Sequence, residues 1–289
     1  MARLGYVGLG IMGGPMARHL ATAKHSMTVH NRTTAKADAW VEQHGGVRVL
    51  TPREVAQSSD VVLMCVGNDD DVRSVVFGAD GILAGLKTGG ILVDHTTASA
   101  TIAREIADAC AKQGCGFVDA PVSGGQAGAE NGQLTIMCGS NDPATFGAIE
   151  PIIAAYAKRS KLLGTAGSGQ LAKMVNQICI AGIAQGLSEA LNFAMRAGLN
   201  PDDVVDVISK GAAQSWQMEN RAKTMVRDEF EFGFAVEWMR KDLGICFDEA
   251  SRNGAQLPMT EMVDKFYEEV VAMGGKRWDT SSLISRLTD

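Results

Sequence analysis

The chain has 289 residues, of which 46% are hydrophobic and 21% charged, with a formal net charge of −6. That is room for one large or two ordinary domains with a sizeable core, in the composition of a soluble globular protein. An acidic chain without a Lys/Arg block offers no basic face to nucleic acid, and no run of about 18 uninterrupted apolar residues is present to span a membrane.

At the N-terminus only Arg3 precedes an apolar, Gly-rich run that lacks a small-residue cleavage site. It reads as a first strand, not a signal peptide, and the expected location is the cytoplasm. From Arg3 to about Leu163, short β-rich runs alternate with helical segments. The runs are Leu4–Leu9, Met27–His30, Val61–Val66, Gly90–Val93, Gly116–Asp119 and Leu134–Cys138. Such alternation predicts a parallel sheet covered on both faces. Asn31, Asp94 and Asp119 fall at strand ends, where the carboxyl edge of the sheet would form a ligand crevice.

After Gly164 the strand signals stop. Ser168 to Ala197 has a long helical pattern closed by Gly198. Asn200 then caps a new helix, with Pro201 in its first turn, Asp202 and Asp203 beside the positive dipole end, and Gly211 as its stop. Further helices fit Ala235–Asn253 and Met259–Met273. The expected architecture is an α/β domain over 1–164, with a Rossmann-type doubly wound parallel sheet, followed by an all-α domain over 165–289. Gly182 and Gly186 inside the long helix each cost about 1 kcal/mol relative to Ala. Close packing against another helix would offset that cost. The neighbour is either in this chain or in a second copy, which points to a homodimer or homotetramer.

Three motifs carry chemistry. The first, Gly8-Leu9-Gly10-Ile11-Met12-Gly13, is a GxGxxG fingerprint placed between a strand and a helical run. Gly8 serves a tight turn, Gly10 a close approach to a pyrophosphate, and Gly13 the packing of helix on strand. The pyrophosphate would meet the N–H groups of the helix start; the alternative is a merely tight glycine turn. About 20 residues on, where an NAD site carries an acid, the chain reads His30-Asn31-Arg32-Thr33. With no carboxylate there, Arg32 can pair with a 2′-phosphate, and Asn31 and Thr33 can donate to it. That predicts NADP, with NAD left open; the other reading of Arg32 is an ordinary loop arginine.

The second motif is Ser123-Gly124-Gly125, after Asp119-Ala120-Pro121-Val122. It is either a backbone N–H cradle for a carboxylate or a flexible turn. The third is Gly167 to Gln177, at the start of the long helix. Lys173, Asn176 and Gln177 stand there at i, i+3 and i+4 on one face, among apolar Leu171, Ala172, Met174, Val175 and Ile178. A lysine in such surroundings should have a lowered pKa suited to proton transfer. Otherwise it snorkels along the helix.

On these residues, together with Arg240-Lys241-Asp242-Leu243-Gly244, the chain resembles the β-hydroxyacid dehydrogenase family over nearly its whole length. That family includes 3-hydroxyisobutyrate dehydrogenase and tartronate semialdehyde reductase. The resemblance implies Lys173 as general acid/base, the Ser123, Gly124 and Gly125 loop for the substrate carboxylate, and Asn176 for substrate orientation. It also implies cofactor contacts at Val66, Gly67, Thr97 and Lys241. Many relatives have an asparagine where this chain has Gln177, so that residue's role stays open. The implied substrate is a small 3-hydroxy acid or its semialdehyde. The rival readings are an NADPH-dependent imine reductase and a non-catalytic NADP-binding module.

Smaller signals read as structural. The six cysteines are scattered, without metal or redox spacing, and are expected to be small buried residues. The five histidines form no cluster, and no metal is expected. Asp69-Asp70-Asp71 fits a helix start. Trp216 and Phe234 either wall a substrate pocket or belong to the core.

Overall fold

The computed structural model describes residues 1–288. The chain forms two compact units, Met1–Lys173 and Met174–Asp289. In the first, β1 (Arg3–Val7), α1 (Gly13–Thr22), β2 (Ser26–His30), α2 (Thr34–His44), β3 (Val47–Arg48), α3 (Pro52–Gln57) and β4 (Val61–Met64) open the fold. They are followed by α4 (Asp69–Phe77), β5 (Ile91–Asp94), α5 (Ala100–Lys112), β6 (Gly116–Asp119) and β7 (Val122–Ser123). Then come α6 (Gly125–Glu130), β8 (Leu134–Gly139), α7 (Pro143–Ile153) and β9 (Ala157–Gly164).

The nine strands make one sheet in the order β3-β2-β1-β4-β5-β6-β8-β7, with β9 on β8. From β3 to β6 all pairings are parallel, and the central β4 and β5 are almost wholly apolar because both faces are covered. Two buried clusters lie on the two faces, one around Leu4, Tyr6, Leu63 and Tyr156, the other around Val62, Met64, Leu92 and Ile106. The chain order reverses at β1, between β2 and β4, so the loops after β1 and β4 flank the switch point where such sheets bind ligands.

The uniformly parallel sheet expected from sequence is modified at one end: β8 runs antiparallel to β6 and to β7. The strand reading also stopped short of β9, whose exposed Lys158, Arg159 and Lys161 hide a strand pattern in charge.

The long helix α8 spans Ser168–Arg196, 29 residues, within one residue of the expected range. It is long and apolar enough by length and composition to cross a membrane, although polar residues interrupt its apolar run. Its Gln177, Gln185 and Ser188 are buried, and Ala181 and Ala184 sit in a cluster with Val236, Met239, Leu243 and Tyr267.

In the second unit α9 (Pro201–Ile208), α10 (Trp216–Val226), α11 (Val236–Asn253) and α12 (Pro258–Ala272) follow. Asn200 caps α9 as expected, accepting from the Asp202 N–H at 3.0 Å. The packing expected at both helix glycines holds at one: a Cβ on Gly182 would stand 2.7 Å from the Met259 Cε on α12, whereas one on Gly186 would meet nothing within 4 Å.

Candidate functional site

In the first unit the fingerprint forms the turn between β1 and α1. Gly8 N–H donates to the His30 carbonyl at 2.9 Å, and a Cβ on Gly13 would strike the Gly8 carbonyl, so helix and turn meet backbone to backbone. Gly10 and Ile11 are exposed, and a Cβ on Gly10 would point into open space. No side chain caps α1 and no acid lies in its first turn. An anion can therefore approach the N–H groups of this helix start, and a dinucleotide pyrophosphate fits the residues present.

The loops beside this turn are tied to it. Asn31 Oδ1 accepts from the Leu9 N–H at 2.9 Å, and its Nδ2 donates to the Thr33 carbonyl at 3.0 Å. The amide expected to reach a 2′-phosphate is thus engaged in holding the turn. Arg32 lies 3.1 Å from Asp71 in the first turn of α4, with its side chain 89% exposed. Thr33 precedes α2 without making a side-chain cap. Val66 N–H donates to Thr96 Oγ1 at 3.0 Å, joining the loops after β4 and β5. Gly67 lies beside the Asp71 carboxylate, and Thr97 is half-buried.

Lys173 closes the first unit and is 7% exposed, with Val175 outside its apolar surroundings at 63% exposed. The helix start before it is anchored by a residue that pattern reading placed only at a strand end. Asp119 accepts from the Gly167 N–H at 2.7 Å and from the Gln170 N–H at 3.0 Å. A carboxylate against the first N–H groups of a helix satisfies donors that would otherwise be orphaned. Burial still pushes its carboxyl up to about 6, with the backbone N–H groups pulling the other way.

Nearby, Asp94 accepts from the Thr96 N–H at 2.8 Å, and burial pushes it up to about 7. His95 lies between the Ala120 carbonyl at 2.7 Å and the Tyr156 hydroxyl at 2.8 Å, and burial pulls it down to about 4. It is a neutral structural imidazole. Ser123 ends β7, and Gly124 and Gly125 follow with φ of +130° and +60°, a consecutive pair in the conformation that favours glycine.

In the second unit Asn176 Nδ2 donates to Gln177 Oε1 at 2.8 Å, and Gln177 Nε2 donates to Asp242 Oδ2 at 2.7 Å. Lys241 Nζ stands 3.1 Å from Asp242 Oδ1. Gln177 is 2% exposed, so its amide links Asn176 to the buried Asp242. Asp242 was visible beside Lys241 in sequence, but nothing in the pattern set it apart. The cysteines are free; Cys110, Cys138 and Cys246 are buried as expected, whereas Cys65 and Cys115 are half-buried and Cys179 is exposed. Trp216 is exposed under the Arg221 guanidinium, 4.7 Å from its ring centre, and is not a core residue.

Two family models match in tandem. Residues 3–167 match the NAD binding domain of 6-phosphogluconate dehydrogenase, and residues 167–287 match the NAD-binding model of NADP-dependent 3-hydroxyisobutyrate dehydrogenase. The chain belongs to the β-hydroxyacid dehydrogenase family. An uncharacterized oxidoreductase of Shewanella frigidimarina is 60% identical over 99% of this chain and 98% of its own. The 2-hydroxy-3-oxopropionate reductase of Escherichia coli is 34% identical over 99% and 97%. Among solved structures, 3-hydroxyisobutyrate dehydrogenase of Mycobacterium tuberculosis with L-serine superposes with a TM-score of 0.90 at 28% identity, each chain covered completely. A β-hydroxyacid dehydrogenase with this two-part match is an oxidoreductase that uses a nicotinamide cofactor.

Proposed function

We propose that this dehydrogenase moves a hydride between NADP(H) and a small 3-hydroxy acid or its semialdehyde, with Lys173 as general acid/base. The observation that carries the reading is a nearly buried lysine in the first turns of a helix whose start is hydrogen-bonded to the carboxyl edge of the nucleotide-binding sheet. Bound NADP(H) would supply the hydride chemistry. The chain's own residues hold and protonate the substrate. The Ser123–Gly125 loop takes the carboxylate and Asn176 orients the carbon skeleton. Lys173 removes the hydroxyl proton during oxidation and returns it to the developing alkoxide during reduction. Val66, Gly67, Thr97 and Lys241 serve the cofactor.

Preference for NADP rests on the loop after β2, which has no carboxylate to repel a 2′-phosphate. The Arg32–Asp71 pair is exposed and worth no more than about 1 kcal/mol, so a phosphate can take the guanidinium from it. A homodimer or homotetramer is supported by Ile183 and Phe193, which leave apolar surface of α8 exposed.

The test is an initial-rate panel of 3-hydroxyisobutyrate, 3-hydroxypropionate, serine and glycerate, each with NADP+ and NAD+, and reduction of the matching semialdehydes. At least one acid should be oxidised, with the higher kcat/KM for NADP+. Tight NADPH binding with no turnover of any compound would sink the assignment.

A further inference from the structure

We infer that Gln170 is a positioning residue that locks the Lys173 turn of α8 to the loop carrying Thr97, giving proton transfer and cofactor binding a single support. The inference rests on the function proposed above. It comes from two side-chain hydrogen bonds and one backbone hydrogen bond of a residue that the sequence did not single out.

Gln170 is 1% exposed. Its Nε2 donates to the Thr96 carbonyl at 2.7 Å, and its Oε1 accepts from the Ala98 N–H at 3.1 Å. The two partners bracket Thr97. A side-chain amide that meets a carbonyl and the N–H two residues later offers the loop a donor and an acceptor together, as the backbone of a neighbouring strand would. The Gln170 N–H is held in turn by Asp119 at 3.0 Å. Thr96 passes the connection on by accepting from the Val66 N–H. One glutamine therefore joins the loops after β4 and β5 and the end of β6. Lys173 lies three residues further along the helix, on the same face.

The geometry asks for an amide. Leucine keeps neither bond. Glutamate keeps the acceptor for Ala98 but, when ionised, turns a second negative oxygen on the Thr96 carbonyl; when protonated, it can donate there again. The charged and titratable groups around the position are Asp119, Asp94 and His95 on the sheet edge, Arg104 of α5 near Gly167, and Lys173 on the same helix. Burial and the nearby Asp119 would both raise the new carboxyl's pKa.

The experiment compares Gln170→Glu and Gln170→Leu with wild type from pH 5.5 to 8.5, reading the NADPH Kd by fluorescence and kcat per NADPH-binding site. Every value is taken as a ratio to wild type at the same pH, which divides out any pH dependence the variants share with it. For Gln170→Glu both ratios should worsen by about tenfold as the pH rises, the loss of one buried hydrogen bond replaced by repulsion. Gln170→Leu should be weak at every pH, with a flat ratio. A purely structural glutamine would lower Tm and the number of binding sites but leave Kd and kcat per site unchanged; that result, or a flat Gln170→Glu profile, overturns the inference. If wild type turns over none of the acids, the proposed function fails, and the NADPH titration alone still decides the role of Gln170.

Discussion

Each unit buries aspartates, and two of them, Asp119 and Asp279, are held differently. Asp119 in the first unit accepts from the backbone N–H groups of Gly167 and Gln170. Asp279 in the second accepts from the Phe234 N–H at 2.9 Å, the Ser281 N–H at 3.1 Å and hydroxyl at 2.6 Å, and also from Arg221 at 3.2 Å. One acid is supported by peptide N–H groups, the other by peptide N–H groups, a hydroxyl and a full positive charge. In the first, burial outweighs those N–H groups and pushes the carboxyl up to about 6, next to the turn that carries Lys173. The second stitches α10 to the chain's end. The same residue type thus supports a candidate site in one unit and a scaffold in the other.

The sharpest way to break that contrast is to separate chemistry from support. Lys173→Ala should lower kcat by about 10²- to 10⁴-fold, while the NADPH Kd stays within a few-fold of wild type. Near-normal turnover in steady-state assays would remove the first unit's claim to the chemistry. Next in size, Arg221→Ala should cost about 3 kcal/mol in urea unfolding. This is the low end for breaking a buried pair, because Arg221 keeps 19% of its side chain exposed. Loss of less than about 1 kcal/mol would mean that the charge is not what supports Asp279.

The smallest effect is in the pH dependence. As pH rises from the ordinary 3.8 of an aspartate to about 7, the unfolded chain gives up the Asp94 proton first, so Asp94 erodes stability across that window. Asp119 adds to this up to about 6. His95, kept neutral in the fold, acts oppositely: its contribution is intact above 6.5 and is lost as pH falls towards 4. The Tm difference between Asp94→Asn and wild type should therefore shift in the variant's favour by a few degrees from pH 4 to 7.5. A constant difference in scanning fluorimetry would mean that Asp94 titrates as an exposed acid.

Much of this was legible in the sequence. The parallel strands announce themselves because strands buried on both faces must be continuously apolar, and α8 because its apolar period runs from Ser168 without a breaker. The fingerprint and the lysine helix were readable because each needs particular residues at fixed spacing. The antiparallel turn at β7 and β8 was not, since the direction of pairing leaves no mark on periodicity. Helix α10 had a readable stripe in Met218, Ala222 and Met225 beginning at its cap Ser215, yet its surroundings gave no start signal strong enough to compete. The roles of Gln170, Asp119 and Asp242 stayed hidden because their hydrogen-bond partners, 48 to 74 residues away, are set by tertiary structure. Gln177 is the converse case: its departure from the common asparagine was visible, but only the bond to Asp242 gives it a task.

The continuity of α8 has a practical consequence for anyone dissecting this enzyme. The two compact units meet in sequence between Lys173 and Met174, in the middle of a helical turn. A clone that ended or began there would sever the i to i+4 bonds on either side and fray the turn that presents the lysine. Fragments meant to fold alone, split-protein reporters and exchanges of one half between relatives should therefore keep all 29 residues of the helix with one partner. The natural seam for swapping lies before Ser168, at the glycine-bearing link that follows β9.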